Sequence, residues 1–395
     1  MDYSKFYPIF APKIINMRIL FLVYHGFSEV SGISKKIHYQ VKGLRENGYE
    51  VHLCYYDFDA NGHRCRYVDG NVIKDYGRGL LAGFRQRIDY NCVYQYCKKS
   101  HIDLVYARCF QNANPFLIRF FKKLNELGVK SVTEIPTYPY DQEFATFSRK
   151  QRYELKIDQF FRNRLAKEMS AMVTFSEAET IFGQRTIRIS NGVDFDSIPL
   201  HHYHAPDDGS IHLIGVAEVH LWHGYDRMIA GLGEYYRNTQ NPRNVYFHIV
   251  GGVHPHQRYR ANAFHPGFQK IIDSYNLEDK IIFHGQLFGN ELDEVFNQCC
   301  FAIGSLARHR SGITVIKTLK NREYATRGIP FLYSEQDSDF DDKAYILKVP
   351  ADESPINVQI IIDYIDTYQF QPEDIRRTVE NLSWKIQMKH VIDEV

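Results

Sequence analysis

The chain has 395 residues, of which 44% are hydrophobic and 24% are charged, and its formal net charge is +1. This length exceeds one ordinary hydrophobic core and suits two domains of about 150–200 residues each. The near-neutral charge argues against a nucleic-acid partner, and no apolar run approaches the roughly 20 residues of a transmembrane helix. The seven cysteines lack zinc-binding spacing, so we expect reduced thiols in a cytoplasmic protein.

The first half of the chain alternates predicted strands and helices. A buried strand, MRILFLVY, is followed by the loop HGFSEVSG, the helical segment ISKKIHYQVKGLRENG and the strand EVHLCYY. This order is a βαβ unit, which predicts a parallel sheet with right-handed crossovers. Apolar runs at 102–106, 130–134, 171–175 and 186–189 extend the series, and a charged helix is predicted between 142 and 170.

A second series of strands follows a polar, turn-rich segment, HHYHAPDDGS, which we interpret as a linker. Two α/β series of similar size predict two Rossmann-like domains facing a cleft, with ligands at the carboxyl ends of the strands. The predicted boundaries are an extension at 1–16, an N-terminal domain at 17–200, the linker at 201–210, a C-terminal domain at 211–380 and a last helix at 381–395.

The loop after the first strand contains candidate functional residues. Gly32 lies at the start of a predicted helix, where backbone N–H groups can approach a phosphate. The loop lacks the GxGxxG pattern, which argues against a nicotinamide dehydrogenase. His25 and Glu29 in this loop, and Glu134 at the end of a later strand, are candidate general bases, although loop residues of this kind are often simply solvated.

Cations crowd the start of the helix predicted in KTLKNREYATRGIPF. Lys317, Lys320 and Arg322 lie where the helix macrodipole already places positive potential, so this end favours an anion. The preceding loop, RHRSGIT, is itself basic around Gly312. Another helix entry, WHGYDRMI, presents His223, which is mostly neutral at pH 7. The alternative interpretation is that these residues form ordinary solvated helix ends.

Taken in order, several segments resemble bacterial glycosyltransferases of the GT-B architecture, closest to the large family four group. They are RILFLVYHGFSEVSG, TFSEAE followed by ISNGVDFDSI, GVAEVHLWHGYDRMIAGL, REYATRGIPFLYS and LSWKIQMKHVIDEV. The resemblance implies an N-terminal acceptor domain, a C-terminal nucleotide-sugar domain, and a last helix that packs back on the N-terminal domain. It implies metal-independent transfer of a sugar from a UDP- or GDP-linked donor to a saccharide or lipid-linked acceptor in polysaccharide assembly, with no further cofactor and possible association with the inner face of the membrane.

The resemblance also implies roles for particular residues. Glu323 matches the glutamate that holds the donor ribose, and Gly32 matches part of the glycine loop near the diphosphate. The positions that contact the base are Gly285, Gln286 and Leu287.

Two departures from the family pattern shape our hypothesis. Val315 stands where the family has the first of two donor-site glutamates. Ala217 or Glu218, together with His223, stands where an arginine and a lysine usually meet the diphosphate. We therefore expect the basic loop at 308–314 and the helix start at 317–322 to replace those cations, with Lys320 as the main phosphate ligand. The alternatives are a nucleotide-sugar epimerase on the same scaffold and a catalytically silent binding or scaffold subunit.

Overall fold

The computed structural model describes residues 17–28, 32–108, 112–141, 149–252 and 267–395. These residues form two compact units. The N-terminal unit contains the described residues up to Pro136, together with Arg149–Ile189 and Trp384–Val395. The C-terminal unit contains Ser190–Ser383 and the described residues from Thr137 to Asp141. The segment 201–210, predicted as a linker, belongs to the C-terminal unit. No helix in the described part of the chain is both long enough and apolar enough to cross a membrane.

The N-terminal unit is built on a sheet whose central strands are parallel. Its strands are β1 (Arg18–Leu22), β2 (Glu50–Phe58), β3 (Arg64–Val68), β4 (Asn71–Asp75), β5 (Leu104–Ala107), β6 (Lys130–Ile135), β7 (Ala171–Thr174), β8 (Thr180–Ile181) and β9 (Gln184–Arg188). Its helices before the second unit are α1 (Gly32–Glu46), α2 (Gly79–Ile88), α3 (Asn91–Lys99), α4 (Pro115–Glu126) and α5 (Arg149–Ala166). The strand order is β4-β3-β2-β1-β5-β6-β7-β9-β8, so the order reverses between β1 and β5.

The C-terminal unit has an all-parallel sheet among the described residues. Its strands are β10 (Ile211–Val216), β11 (Val245–Val250), β12 (Ile281–Gly285), β13 (Phe301–Ile303), β14 (Phe331–Tyr333) and β15 (Ile346–Lys348). Its helices are α6 (Tyr225–Asn238), α7 (Phe268–Tyr275), α8 (Gly289–Gln298), α9 (Leu319–Arg327), α10 (Val358–Thr367) and α11 (Pro372–Arg377). The order β12-β11-β10-β13-β14-β15 is the 3-2-1-4-5-6 order of dinucleotide-binding folds, which reverses between β10 and β13.

The last helix, α12 (Trp384–Glu394), completes the core of the N-terminal unit. Trp384 and Met388 are buried in the same cluster as Ile37 and Val41 of α1. A Cβ added to Gly43 of α1 would lie 2.7 Å from the backbone of Trp384, so the two helices meet where one has no side chain. Burial of this apolar face explains why the chain returns to the first unit after completing the second.

A row of hydrogen-bonded histidines crosses the C-terminal sheet. The His212 Nδ1 and His248 Nε2 atoms are 2.8 Å apart, and the His248 Nδ1 and His284 Nε2 atoms are also 2.8 Å apart. At the other end, the His212 Nε2 atom lies 3.0 Å from the Ser210 hydroxyl. Burial lowers the pKa of His248 to about 3, with help from His212 and His284, so the central ring is neutral at physiological pH.

The histidine row predicts a pH-dependent stability. Because the folded pKa of His248 is far below the unfolded value near 6.5, the unfolded chain binds the proton first. The stability associated with a neutral His248 is therefore complete above about pH 6.5 and falls, by up to about 1.4 kcal/mol per pH unit, as the pH drops towards the folded pKa. We expect urea unfolding of His248→Gln to show a shallower loss of stability below about pH 6.5 than the wild type.

An exposed histidine on α12 offers the matched control, because His390→Gln should keep the wild-type pH profile. Parallel profiles for the wild type and His248→Gln would contradict the interpretation.

Candidate functional site

The reversal of strand order in the C-terminal sheet brings two loops together. A 3₁₀ turn, Leu221–His223, follows β10, and a second, Arg308–Ser311, follows β13. The backbone N–H of Leu306 donates to the carbonyl of His223 at 3.0 Å, which joins the loops directly. Gly224 makes this approach possible, since its φ is +66° and an added Cβ would lie 2.8 Å from the Cβ of Leu306. This edge of the sheet is where open α/β folds bind ligands.

A buried tyrosine in the second half of α9 fixes this helix over the same edge. The Tyr324 hydroxyl accepts from the N–H of Val216 at 3.0 Å and donates to the carbonyl of Ile303 at 3.2 Å. It thereby ties α9 to the ends of both β10 and β13. Lys320, one turn earlier, donates from Nζ to the Tyr225 hydroxyl at 3.4 Å, and Nζ lies 5.3 Å from that ring's centroid.

Lys320, Arg308 and His223 form what we term the cationic pocket. The Arg308 guanidinium lies 5.6 Å from the centroid of the Trp222 ring. The His223 Nδ1 accepts from the backbone N–H of His220 at 2.9 Å, so the neutral ring carries its proton on Nε2. Burial holds the pKa of His223 well below its usual value, and Lys320 and Arg308 lower it further. His223 is therefore a neutral N–H donor rather than a cation.

The positive charge of Lys320 is poorly compensated. Burial holds the pKa of Lys320 well below its usual value, and Arg308 lowers it further. Among the residues that the structure describes, no carboxylate forms an ion pair with Lys320. A desolvated cation without a counter-charge is unfavourable, and a bound anion relieves that cost. The pocket thus has the donors, charge and location of an anion site.

Arg310, also in the basic loop, does not join this pocket. Its guanidinium binds the two carboxylate oxygens of Asp226 at 2.8 and 3.0 Å. It also donates to Glu353 at 2.6 Å and to the carbonyl of Leu221 at 2.7 Å. Arg310 therefore holds the loop in place, and only Arg308 of the two arginines takes part in the cationic pocket.

The cations expected to act together at the start of α9 have different partners in the structure. Arg322 is fully buried and pairs with Asp337 and Asp339, and it donates to the Ser190 hydroxyl at 2.9 Å. Although burial opposes its ionisation, Asp339 has a pKa below the usual value because Arg322 and Lys317 lie nearby. The expectation that 317–322 supplies one group of phosphate ligands is therefore wrong for Arg322, and the charge of Lys317 acts on Asp339.

Glu323 keeps part of its carboxylate available. Its Oε1 atom accepts from Arg327 Nε at 3.2 Å, and Arg327 in turn donates to Asp293 at 2.7 Å. The Oε2 atom has no hydrogen-bond partner among the described residues, so it can accept from a ligand hydroxyl. Val315, at the position of the missing glutamate, instead forms an isolated bridge with Gln336.

The other predicted donor positions lie in loops of the same unit. Gly312 ends the turn after β13 with a φ of +69° and is exposed. Gly285 ends β12 with a φ of +72°, and its carbonyl accepts from the N–H of Gly251 at 2.6 Å. Gln286 is exposed and Leu287 packs partly against the core. Gly285, Gln286 and Leu287 thus lie at the end of β12, which is two strands away from β10 in the sheet.

In the N-terminal unit, the corresponding reversal between β1 and β5 brings His25 to Arg108. The His25 Nδ1 donates to the carbonyl of Gly26 at 2.8 Å, so a neutral ring has its lone pair on Nε2. That lone pair accepts from Arg108 Nη1 at 3.3 Å. Burial lowers the pKa of His25, and Arg108 lowers it further. His25 would have to leave Arg108 before acting as a base.

Glu134 lies beneath this pair and is completely buried. Its carboxylate accepts from Gln40 at 2.6 Å and from the Tyr106 hydroxyl at 2.7 Å, and it pairs with Lys36 and Arg108, each at 3.2 Å. Burial alone would raise the pKa of Glu134, but Lys36 and Arg108 hold it below the usual value. This saturated, strongly ionised carboxylate orients Arg108 and is poorly suited to accepting a proton.

The two remaining predicted positions are Glu29 and Gly32. Glu29 lies outside the described residues. Gly32 is the exposed first residue of α1, and a Cβ there would meet nothing within 4 Å. Internal packing therefore does not require glycine at this position.

Known proteins resemble this chain in structure. No protein-family model matches the chain, and no curated protein matches it by sequence. Anabaena HepE, solved with UDP-glucose, is 14% identical with a TM-score of 0.55, over 96% of this chain and 100% of that one. The catalytic domain of Arabidopsis thaliana starch synthase IV, bound to ADP and acarbose, is 12% identical with a TM-score of 0.60, over 96% and 98%.

A third solved structure has a different activity in its name. The putative UDP-N-acetylglucosamine 2-epimerase of Listeria monocytogenes is 10% identical with a TM-score of 0.51, over 95% of each chain. Together these similarities show that the chain has the GT-B fold of glycosyltransferases. The prediction of two Rossmann-like domains is confirmed.

The uncompensated charge of Lys320 predicts an unusual stability effect. Replacing Lys320 with the similarly long, uncharged methionine should raise the unfolding free energy of the ligand-free protein by about 1–2 kcal/mol. Arg310→Met is the matched control, because it breaks paired contacts and should lower stability. Urea unfolding of both variants measures the two signs, and destabilisation by Lys320→Met would contradict the assignment of Lys320 as an uncompensated cation.

Proposed function

We propose that the chain is a glycosyltransferase that moves a sugar from a nucleotide-diphosphate sugar to a saccharide or lipid-linked acceptor without a metal ion. The observation that carries this proposal is the cationic pocket at the strand-order reversal of the C-terminal sheet. Its position, its N–H donors and its uncompensated Lys320 suit a diphosphate. HepE and starch synthase IV, which share the fold, were solved with UDP-glucose and with ADP.

The reaction needs positive charge where the leaving group departs. A nucleoside diphosphate leaves with about two to three negative charges, and preorganised donors act most strongly where charge develops. Lys320 and Arg308 would supply charge, and His223 would donate from Nε2. The N-terminus of α9 adds its dipole on the same side as Lys320.

The remaining substrate contacts would come from α9, from the end of β12 and from the N-terminal unit. We infer that the Oε2 atom of Glu323 accepts from the ribose hydroxyls, since it lies one turn after Lys320 on α9 and keeps no described partner. Gly285, Gln286 and Leu287 would offer backbone groups to a uracil or guanine base. In the N-terminal unit, His25 and Arg108 would bind the acceptor, with Glu134 holding Arg108 in position.

A nucleotide-sugar epimerase is the second candidate, and the similarity to the Listeria protein favours it. An epimerase turns over its donor without any acceptor, whereas a transferase does so only slowly by hydrolysis. Incubation with UDP- and GDP-sugars alone, followed by analysis of the sugar, separates the two activities.

The proposal predicts donor binding that depends on the cationic pocket. Wild-type protein should bind UDP or GDP in calorimetry, and Lys320→Met should weaken that binding at least tenfold, since one charge-assisted phosphate contact contributes about 1.5–3 kcal/mol. Arg243→Met is the control, because Arg243 pairs with Asp366 on the surface of the same unit.

Two outcomes would overturn this account. Absence of binding to every nucleoside diphosphate would favour a silent binding or scaffold subunit. Equal affinity of the wild type and Lys320→Met would place the diphosphate elsewhere.

A further inference from the structure

The 3₁₀ turn Arg308–Ser311 carries two arginines that are held in different ways. Arg310 is held by carboxylates, because Asp226 and Glu353 both accept from its guanidinium. Although burial opposes its ionisation, hydrogen bonds from Glu353 and Asp226 raise the pKa of Arg310 above its usual value. The charge of Arg310 is thus already compensated within the protein.

Arg308, at the start of the same turn, lies beside an aromatic ring instead. Its guanidinium carbon lies 5.6 Å from the centroid of the Trp222 ring, which is within the roughly 6 Å of a cation–π interaction. The indole ring attracts a cation through its quadrupole but has no net charge. This contact can therefore hold the Arg308 guanidinium without neutralising it, whereas a carboxylate in the same place would neutralise it.

Trp222 is itself fixed by its neighbours. Its ring stacks on the His220 ring, with centroids 4.3 Å apart and 19° between the planes. The backbone N–H of His220 donates to His223 Nδ1 at 2.9 Å, which closes the short turn that carries Trp222. The carbonyl of His223 accepts from the N–H of Leu306, which follows β13. A ring held in this way can position a flexible arginine side chain.

Lys320, the other cation of the pocket, also lies against an aromatic ring. Its Nζ atom lies 5.3 Å from the centroid of the Tyr225 ring and donates to the Tyr225 hydroxyl at 3.4 Å. Tyr225 is completely buried, and a Cβ at Gly215 would lie 2.8 Å from its ring, so the glycine in β10 makes room for it. Trp222 and Tyr225 thus each contact one cation of the cationic pocket.

We propose that Trp222 is a positioning residue, which holds the Arg308 guanidinium in the cationic pocket and leaves its charge available to a bound diphosphate. This role rests on the proposed function and deepens it, since Trp222 would act through Arg308 rather than on the donor itself. Without the indole ring, the ligand would have to order the flexible Arg308 side chain, and that loss of conformational freedom would weaken binding.

Calorimetric titration with UDP and with GDP tests the inference. Trp222→Leu should weaken binding of the nucleotide that the wild type prefers by about three- to thirtyfold, which is the range that cation–π interactions span. Trp222→Phe, which keeps an aromatic ring, should recover most of that loss. Tyr368→Leu is the matched control and should bind like the wild type, because Tyr368 is 51% exposed and stacks on Phe370 in the same unit.

A double-mutant cycle with Arg308→Met separates positioning from a general structural effect. Arg308→Met alone should lose at least as much affinity as Trp222→Leu. If Trp222 acts through Arg308, adding Trp222→Leu to Arg308→Met should change the affinity by less than about twofold. Far-UV circular dichroism of each variant checks that the fold is kept.

Several outcomes would overturn the inference. A wild type that binds UDP or GDP, with equal affinity in Trp222→Leu, would exclude the role of Trp222 and leave the proposed function standing. Equal losses from Trp222→Leu with and without Arg308 would show that the indole ring acts independently of Arg308. Wild-type affinity of Arg308→Met would exclude the role even if Trp222→Leu failed to fold. Binding of neither nucleotide by the wild type would refute the proposed function and this role with it.

Discussion

The hydrogen bonds of the Tyr324 hydroxyl organise the C-terminal unit around its candidate site. By joining the N–H of Val216 to the carbonyl of Ile303, this one hydroxyl sets α9 across the point where the strand order reverses. Because Lys320 lies one turn earlier on α9, these bonds also hold it near Arg308. There Lys320 is half-buried and has no described carboxylate partner. An apolar side chain at 324 would fill the same core space but leave α9 free to shift.

Both units place candidate site residues where the strand order reverses, but the charges around these residues differ. In each, the reversal of strand order places a histidine next to an arginine-bearing loop. In the N-terminal unit the buried Glu134 neutralises the cations around it, whereas no carboxylate among the described residues pairs with Lys320 of the C-terminal pocket. This difference in charge compensation, rather than the fold itself, indicates that the edge of the C-terminal sheet is the one that binds an anion.

Sequence patterns predicted the fold and part of the site. The continuous apolar runs of β1, β10 and β11 are typical of parallel strands covered on both faces, and their spacing predicted both series. The cations of 317–322 also indicated an anion site, but periodicity could not show that Arg322 turns towards Asp337. Side-chain partners that are distant in sequence decide such roles.

The central claim is that a diphosphate supplies the counter-charge that Lys320 lacks and so raises the pKa that burial lowers. Calorimetric titration with UDP at about pH 9, in two buffers with different heats of ionisation, measures it directly, since the phosphate groups are already fully ionised there. The account predicts net proton uptake on binding by the wild type and none by Lys320→Met. Equal heats in both buffers for the wild type, or the same uptake in Lys320→Met, would contradict it.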